Sequence, residues 1–165
     1  MTKLVLVMCS MLAMTFSLRA DQPSVRVTPP NLQGPRQLNE ETQAAVVRDY
    51  LEAWQSVGTA LQQNRADLLS RDFIGTAKDR LSDTIHDQVT MGISTRYLDL
   101  SHDLQILFYS PEGLSVQLVD NVEYEVQILD HGKAQTTQKM HARYVVVMTP
   151  AEVRWRVRIF QAEPE

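Results

Sequence analysis

Two different spacings of apolar residues divide the chain into a helical half and a strand half. Between residues 44 and 61, apolar side chains recur every three or four positions, which predicts one long helix with a broad buried face. A short helix over residues 66–73 and a third helix follow, because Gly75 and Gly92 interrupt the helical pattern. From about residue 103 onward, apolar and polar residues alternate, which is typical of strands with one buried face.

The starts of two helices carry capping signals. Asn39 can accept a hydrogen bond from the first turn of the long helix, and the two glutamates that follow it suit the positive end of the helix dipole. The segment from Thr76 to Asp79 has the spacing of a capping box, so the third helix is predicted to open there.

Turn residues divide the strand half into about four long strands. Segments 110–113, 131–133 and 149–152 combine proline, glycine and polar residues. A three-residue loop at 131–133 keeps apolar residues opposite apolar ones. The expected pairs are Asp130 with Ala134, Glu125 with Lys139, Glu123 with His141, Val122 with Ala142, Leu118 with Val146, Phe108 with Val116, Ile106 with Leu118, and Leu104 with Asp120.

These patterns predict an α+β fold in which two to three N-terminal helices pack on a curved antiparallel β-meander. Strands of this length twist and curl, so the apolar face is expected to wrap around the helices. With 165 residues, 44% of them hydrophobic, the chain can bury one core. We therefore expect a single domain over residues 39–163.

The N-terminus predicts export. Lys3 precedes an apolar stretch over residues 4–16, and Ala20 is a small residue at a suitable cleavage position, so residues 1–20 are predicted to be a signal peptide. This makes the protein secreted or periplasmic. The alternative is an uncleaved anchor that holds the domain at a membrane, although the apolar stretch is short for a span of roughly 20 residues. Residues 21–38 contain four prolines and read as an extended tether.

Charge and cysteine content exclude several classes of function. Loss of Lys3 and Arg19 with the signal peptide would change the formal net charge from −4 to −6. An acidic chain without a basic block lacks the clustered positive charge that nucleic acids require. Cys9 is the single cysteine and lies in the predicted signal peptide, so no disulfide or thiolate metal site is expected. No cofactor and no metal are predicted.

The order of elements resembles the nuclear transport factor 2-like (cystatin-like) cone superfamily over roughly residues 40–162. The resemblance depends on Tyr50, Leu51 and Trp54 in the long helix, on the short segment from Asp67 to Phe73, and on a last strand with a tryptophan between basic and apolar residues at 153–157. The chain looks more like extracytoplasmic members of unassigned role, and like the non-catalytic domain of chloroplast-division proteins, than like the ketosteroid isomerases and polyketide cyclases. Those enzymes keep an acid or base inside the cone, and fold alone implies none of these functions.

Asp120 is the candidate catalytic residue because it alternates with Leu118 and Val122, so it is predicted to face the apolar side of the sheet. A carboxylate inside a cone can act as a base. The favoured interpretation is structural, with Asp120 and Asn121 forming a β-bulge and bonding to local amides. Candidate pocket-lining residues are Tyr50, Trp54, Tyr124, Met140, Tyr144 and Trp155.

A second cluster lies between the third helix and the alternating region. Tyr97, Asp99, His102 and Asp103 combine acid, base and hydroxyl groups that could form an acid–base pair or a few metal ligands. No other histidine stands at ligand spacing, so the favoured interpretation is a solvated loop with His102 exposed.

The polar face of the sheet carries a row of basic residues. The candidate surface or interface residues are Lys139, His141, Arg143, Arg154, Arg156, Arg158 and Phe160. Glu123 and Glu125 on the same face offset this charge. This favours a solvated face with cross-strand ion pairs over an anion-binding site. The valines that share the face predict a homodimer, which equilibrium sedimentation checks.

The leading hypothesis is an exported, non-catalytic domain that binds a partner protein or a small apolar ligand. The alternative is a cone-pocket enzyme of the isomerase, cyclase or hydratase-like lyase kind, with Asp120 as base and Tyr50, Tyr124 or Tyr144 as hydrogen-bond donors. Neither hypothesis involves nucleic acid, and a membrane enters only if the N-terminal segment stays uncleaved.

Overall fold

Helices pack against the inner face of one curved sheet in the computed structural model, which describes residues 22–32, 34 and 36–163. The predicted signal peptide lies outside the described residues. The elements in chain order are β1 (Ser24–Thr28), α1 (Glu40–Gln63), a 3₁₀ helix (Ala66–Arg71), α2 (Gly75–Met91), β2 (Ile93–Tyr109), β3 (Val116–Asp130), β4 (Lys133–Pro150) and β5 (Trp155–Ala162). The α+β prediction is confirmed.

Local signals fix the helix ends. The Asn39 side chain accepts a hydrogen bond of 2.7 Å from the Thr42 amide, so the predicted cap of α1 is confirmed. Gly92 ends α2 with a φ of 71°, as expected. The predicted capping box at Thr76 is wrong, because α2 begins at Gly75 and its N-cap residue makes no side-chain hydrogen bond. The Ile74 amide bonds to the Val157 carbonyl, and Gly75 at φ 53° turns the chain directly into the helix.

The sheet has five strands in the order β1-β2-β3-β4-β5, one more than expected. Strands β2 to β5 form the predicted antiparallel meander, and β1 pairs with β2 in parallel. The extra strand lies in the segment 21–38 that was predicted to be only a tether. The prolines there made the segment look extended but unpaired, whereas the five residues between Pro23 and Pro29 contain no proline and alternate valine with polar side chains.

The central register is confirmed. The expected pairs of Glu125, Glu123, Val122 and Leu118 with β4 are all present, as are those of Leu104 and Ile106 with β3. Two strand ends differ from the prediction because of irregularities in the pairing. Asp130 opposes Lys133 across a two-residue turn, and a shift beside Ile128 restores the register; likewise Tyr109, not Phe108, opposes Val116.

Strand β2 begins about ten residues earlier than the alternation suggested. Its register shifts between Asp99 and Ser101, so one extra residue, Leu100, interrupts the period of two. Before the shift Thr95 is buried, and after it His102, Leu104 and Ile106 are buried. The early start of β2 brings the second candidate cluster into the sheet, and the shift places Asp99 and His102 on the same face of it.

Candidate functional site

His102 lies inside the cone, so the expectation of a solvated loop is wrong. Its side chain is 1% exposed, and it points from β2 toward α1 with the other inward residues of the sheet. Tyr97 and Asp99 also face inward, whereas Asp103 lies on the other face and binds Arg26 at 2.6 Å. The cluster is therefore split between the two faces of the sheet.

Asp120 connects three elements in the core. Its Oδ2 accepts a 2.8 Å hydrogen bond from the Tyr50 hydroxyl of α1 and lies 2.7 Å from His102 Nδ1 on β2. An ionised carboxylate only accepts hydrogen bonds, so His102 Nδ1 is the donor in this pair when Asp120 is ionised. Strand β3 is regular at this point, with Asp120 opposite Tyr144 as expected. The predicted bulge at Asp120 and Asn121 is therefore wrong, and the partners of Asp120 are side chains.

The three side chains, which we call the Asp120 triad (Tyr50, His102 and Asp120), have almost no exposed surface. Asp120 is 0% exposed, and its Oδ1 is buried without a partner among the described residues. Burial, followed by the Asp120 carboxylate, raises the pKa of Tyr50 well above its ordinary value. The tyrosine therefore stays protonated and remains a donor.

Trp54 fills the space beside the Asp120 triad. Its ring meets those of Tyr144, His102, Phe160 and Tyr124 edge-on, with centroids 5.2 to 5.6 Å apart. These distances are those of well-packed aromatic pairs. The tryptophan is 2% exposed, so the interior of the cone is occupied by the protein's own aromatic side chains.

Polar groups at the edge of this aromatic cluster form hydrogen bonds. The Trp54 indole donates to Asp99 Oδ1 at 2.5 Å, and the Tyr124 and Tyr144 hydroxyls lie 3.3 Å apart. Burial raises the pKa of Asp99, and the indole hydrogen bond opposes part of that effect. Burial also raises the pKa of Tyr97 to about 12.

The predicted pocket-lining residues belong to one packed core. Tyr50, Trp54, Tyr124 and Tyr144 are buried, and Met140 and Trp155 are half-buried against them. The Asp120 triad approaches the surface at His102, which lines a cavity of about 220 Å³ with Pro23, Val25, Leu51 and Gln55. The alternation along β3 predicted an inward Asp120, whereas the burial of His102 was missed because residues 97–103 were interpreted as a solvated loop.

The basic residues do not form one continuous stripe. Arg154 donates to Asp72 at 2.5 Å and Arg156 to the Ser70 carbonyl, also at 2.5 Å, while Arg158 is exposed at a register shift in β5. Phe160 packs inside the cone and stacks on Tyr144 at 4.6 Å, because the same shift turns it inward. On β4, Lys139 and His141 lie near Glu123, and Arg143 pairs with Glu163.

No group of three or more histidine, cysteine, aspartate or glutamate side chains lies close enough to hold a metal ion among residues 22–32, 34 and 36–163. Within the same residues, no helix has the length and apolar character needed to cross a membrane.

Solved structures share this architecture, although no family model and no curated protein sequence matches the chain. The intermembrane space region of the chloroplast protein ARC6 superposes with a TM-score of 0.61 at 12% identity, over 79% of this chain and 100% of that one. A scytalone dehydratase candidate from Novosphingobium aromaticivorans superposes with a TM-score of 0.51 at 10% identity, over 76% of this chain and 89% of that one. At such identities the likeness concerns the fold alone. The molecule has the nuclear transport factor 2-like (cystatin-like) cone fold.

Proposed function

We propose that the protein is an exported, non-catalytic interaction domain that binds a partner protein through its surface and closes its cone with its own side chains. The observation that carries this proposal is the Asp120 triad. Asp120 has no exposed surface, and its Oδ2 is shared between Tyr50 and His102. A catalytic base must come within about 3 Å of its substrate.

The aromatic packing supports the same conclusion. Ligand sites are usually largely pre-formed concave spaces. In this cone, Trp54 lies against aromatic rings on β2, β3, β4 and β5. A substrate would have to displace this ring before it reached the carboxylate.

A cone-pocket enzyme is the second candidate, and one observation favours it. His102 and Asp120 form a hydrogen-bonded acid–base pair, and His102 lines the 220 Å³ cavity under the N-terminal segment. Of the two structures compared above, one is a region of a chloroplast protein and the other is a dehydratase candidate. Both candidates therefore need a direct test.

Chemical modification of histidines separates the two candidates. We expect diethyl pyrocarbonate to modify His102 at least about tenfold more slowly than the exposed His86, His131 and His141, because an opening that costs about 1.4 kcal/mol already lowers the reactive population tenfold. Mass spectrometry of peptides from the treated protein measures the four rates. Equal rates would mean that the cavity admits small molecules to the triad, which supports the enzyme.

Export is tested on the mature chain. If residues 1–20 are removed as a signal peptide, N-terminal sequencing of the protein from its native envelope or medium gives Asp21 as the first residue. Met1 as the first residue would contradict cleavage and favour an uncleaved anchor. The homodimer remains a prediction for equilibrium sedimentation.

A further inference from the structure

Strand β1 gives the sheet a free edge. In the described part of the chain, β1 pairs on one side with β2 and is the outermost strand. An edge strand presents unpaired backbone groups that another extended segment can bind. Pro23 and Pro29 flank β1 and cannot donate backbone hydrogen bonds, so pairing is limited to about the five residues between them.

A groove with apolar walls runs beside this edge. Val25 and Val27 oppose the inward residues His102 and Leu104, so both valines face α1, yet they are 43% and 37% exposed. Across from Val27, helix α1 presents Ala44, Val47 and Leu51, which line a groove of about 690 Å³. The alternating inward positions of an added strand would place apolar side chains here.

Charge favours a particular partner on the outer face. Arg26 stands at the centre of β1, and its side chain remains 77% exposed although it pairs with Asp103. Arg48 lines the groove beside Glu40 and pairs with Asp49, so Arg26 is the cation that favours an acidic partner. A carboxylate directly across from Arg26 would be a favourable cross-strand pair.

The same residue argues against a second copy of the chain as the occupant. Because Arg26 is the middle residue of β1, a symmetric antiparallel pairing of two β1 strands would set Arg26 opposite Arg26. Like charges directly opposite each other destabilise a sheet.

We propose that β1 and the groove along α1 bind an extended segment of a partner protein, which adds a strand to the sheet. The segment places apolar residues at alternate positions toward Val27 and Ala44 and an acidic residue opposite Arg26. Backbone hydrogen bonds provide the affinity and the alternate side chains provide the specificity. This inference rests on the proposed function, since it names the class of partner.

The test uses a fluorescein-labelled peptide with the core sequence Thr-Val-Asp-Val-Thr. We expect saturable binding in fluorescence polarisation, with amide shift changes in NMR spectra centred on residues 24–28. Ala44→Glu should weaken binding at least tenfold, because it places a charge against the apolar side chains that the peptide buries in the groove. Gln62→Glu adds the same charge at an exposed site near the end of α1 and should leave binding unchanged.

A peptide with N-methylated central residues loses its backbone donors and should not bind. Equal binding of the two peptides, or equal effects of the two glutamate variants, would overturn the proposal. Amide changes at residues 24–28 that grow with protein concentration alone would also overturn it, since the occupant would then be a second copy. Histidine modification measures whether the cone is closed and does not depend on this groove. The closed cone and the binding of a partner segment at β1 can therefore be contradicted separately.

Discussion

Replacement of Asp120 by leucine is expected to lower the free energy of unfolding by about 3–5 kcal/mol. The Tyr50 hydroxyl and His102 Nδ1 both donate to Asp120 Oδ2 in a core without exposed surface. Leucine removes their shared acceptor and leaves two buried donors unsatisfied, and each such donor costs about 1–3 kcal/mol. Urea unfolding of the two proteins measures the difference.

Tyr50→Phe is the matched control for this experiment. It removes one hydroxyl and leaves His102 bound to Asp120, so its cost is about 1 kcal/mol. The variant that combines Tyr50→Phe and Asp120→Leu should lose less stability than the sum of the single changes. With phenylalanine at residue 50, Asp120→Leu leaves no tyrosine hydroxyl without an acceptor. A leucine variant more stable than the native protein would show that Asp120 is held at the expense of stability, as acids in functional cavities are.

Trp54→Ala is expected to lower the free energy of unfolding by about 3–5 kcal/mol, because it empties the centre of the cone. The ring contacts aromatic side chains on four strands and donates to Asp99. Trp155→Ala makes the same chemical change at a half-buried site near Tyr109 and should cost clearly less. Equal losses at the two sites would mean that Trp54 does not fill a closed interior.

The sequence predicts the fold well where its periodicity is unbroken. In β3, alternate residues from Val116 to Tyr124 are buried, so parity alone identified Asp120 as an inward carboxylate and Tyr144 as its neighbour. The α1 cap at Asn39 and the end of α2 at Gly92 are likewise determined by neighbouring residues in the sequence. These features depend on side chains a few positions apart, which a single sequence displays directly.

Register shifts account for most of what the sequence did not predict. One extra residue at Leu100 breaks the alternation of β2, so residues 97–103 resembled a loop, and a similar shift in β5 turned Phe160 inward and Ile159 outward. A shift is compensated by pairing with a distant strand, which local patterns do not reveal. The available signal for His102 was the alternation of Leu104 and Ile106, because His102 lies one step earlier on the same parity.

Strand β1 was missed for a different reason. Proline content led to the tether prediction, while the pairing of Val25 and Val27 with β2 depends on a partner about 77 residues away in sequence. Short edge strands have little internal signal because they bury few side chains, and only the two valines alternate here.

The most direct test of cone closure is a titration of the native protein and of Trp54→Ala with indole, followed by NMR. Filled by Trp54, the native cone should show no indole-dependent shifts at the amides of inward residues such as Ile106, Leu118 and Val146. The alanine variant should bind indole in the vacated space, as engineered apolar cavities bind small aromatic molecules, and should regain thermal stability in proportion to ligand concentration. Shifts at those amides in the native protein would contradict closure, because they would show a ligand pocket already open beside Asp120.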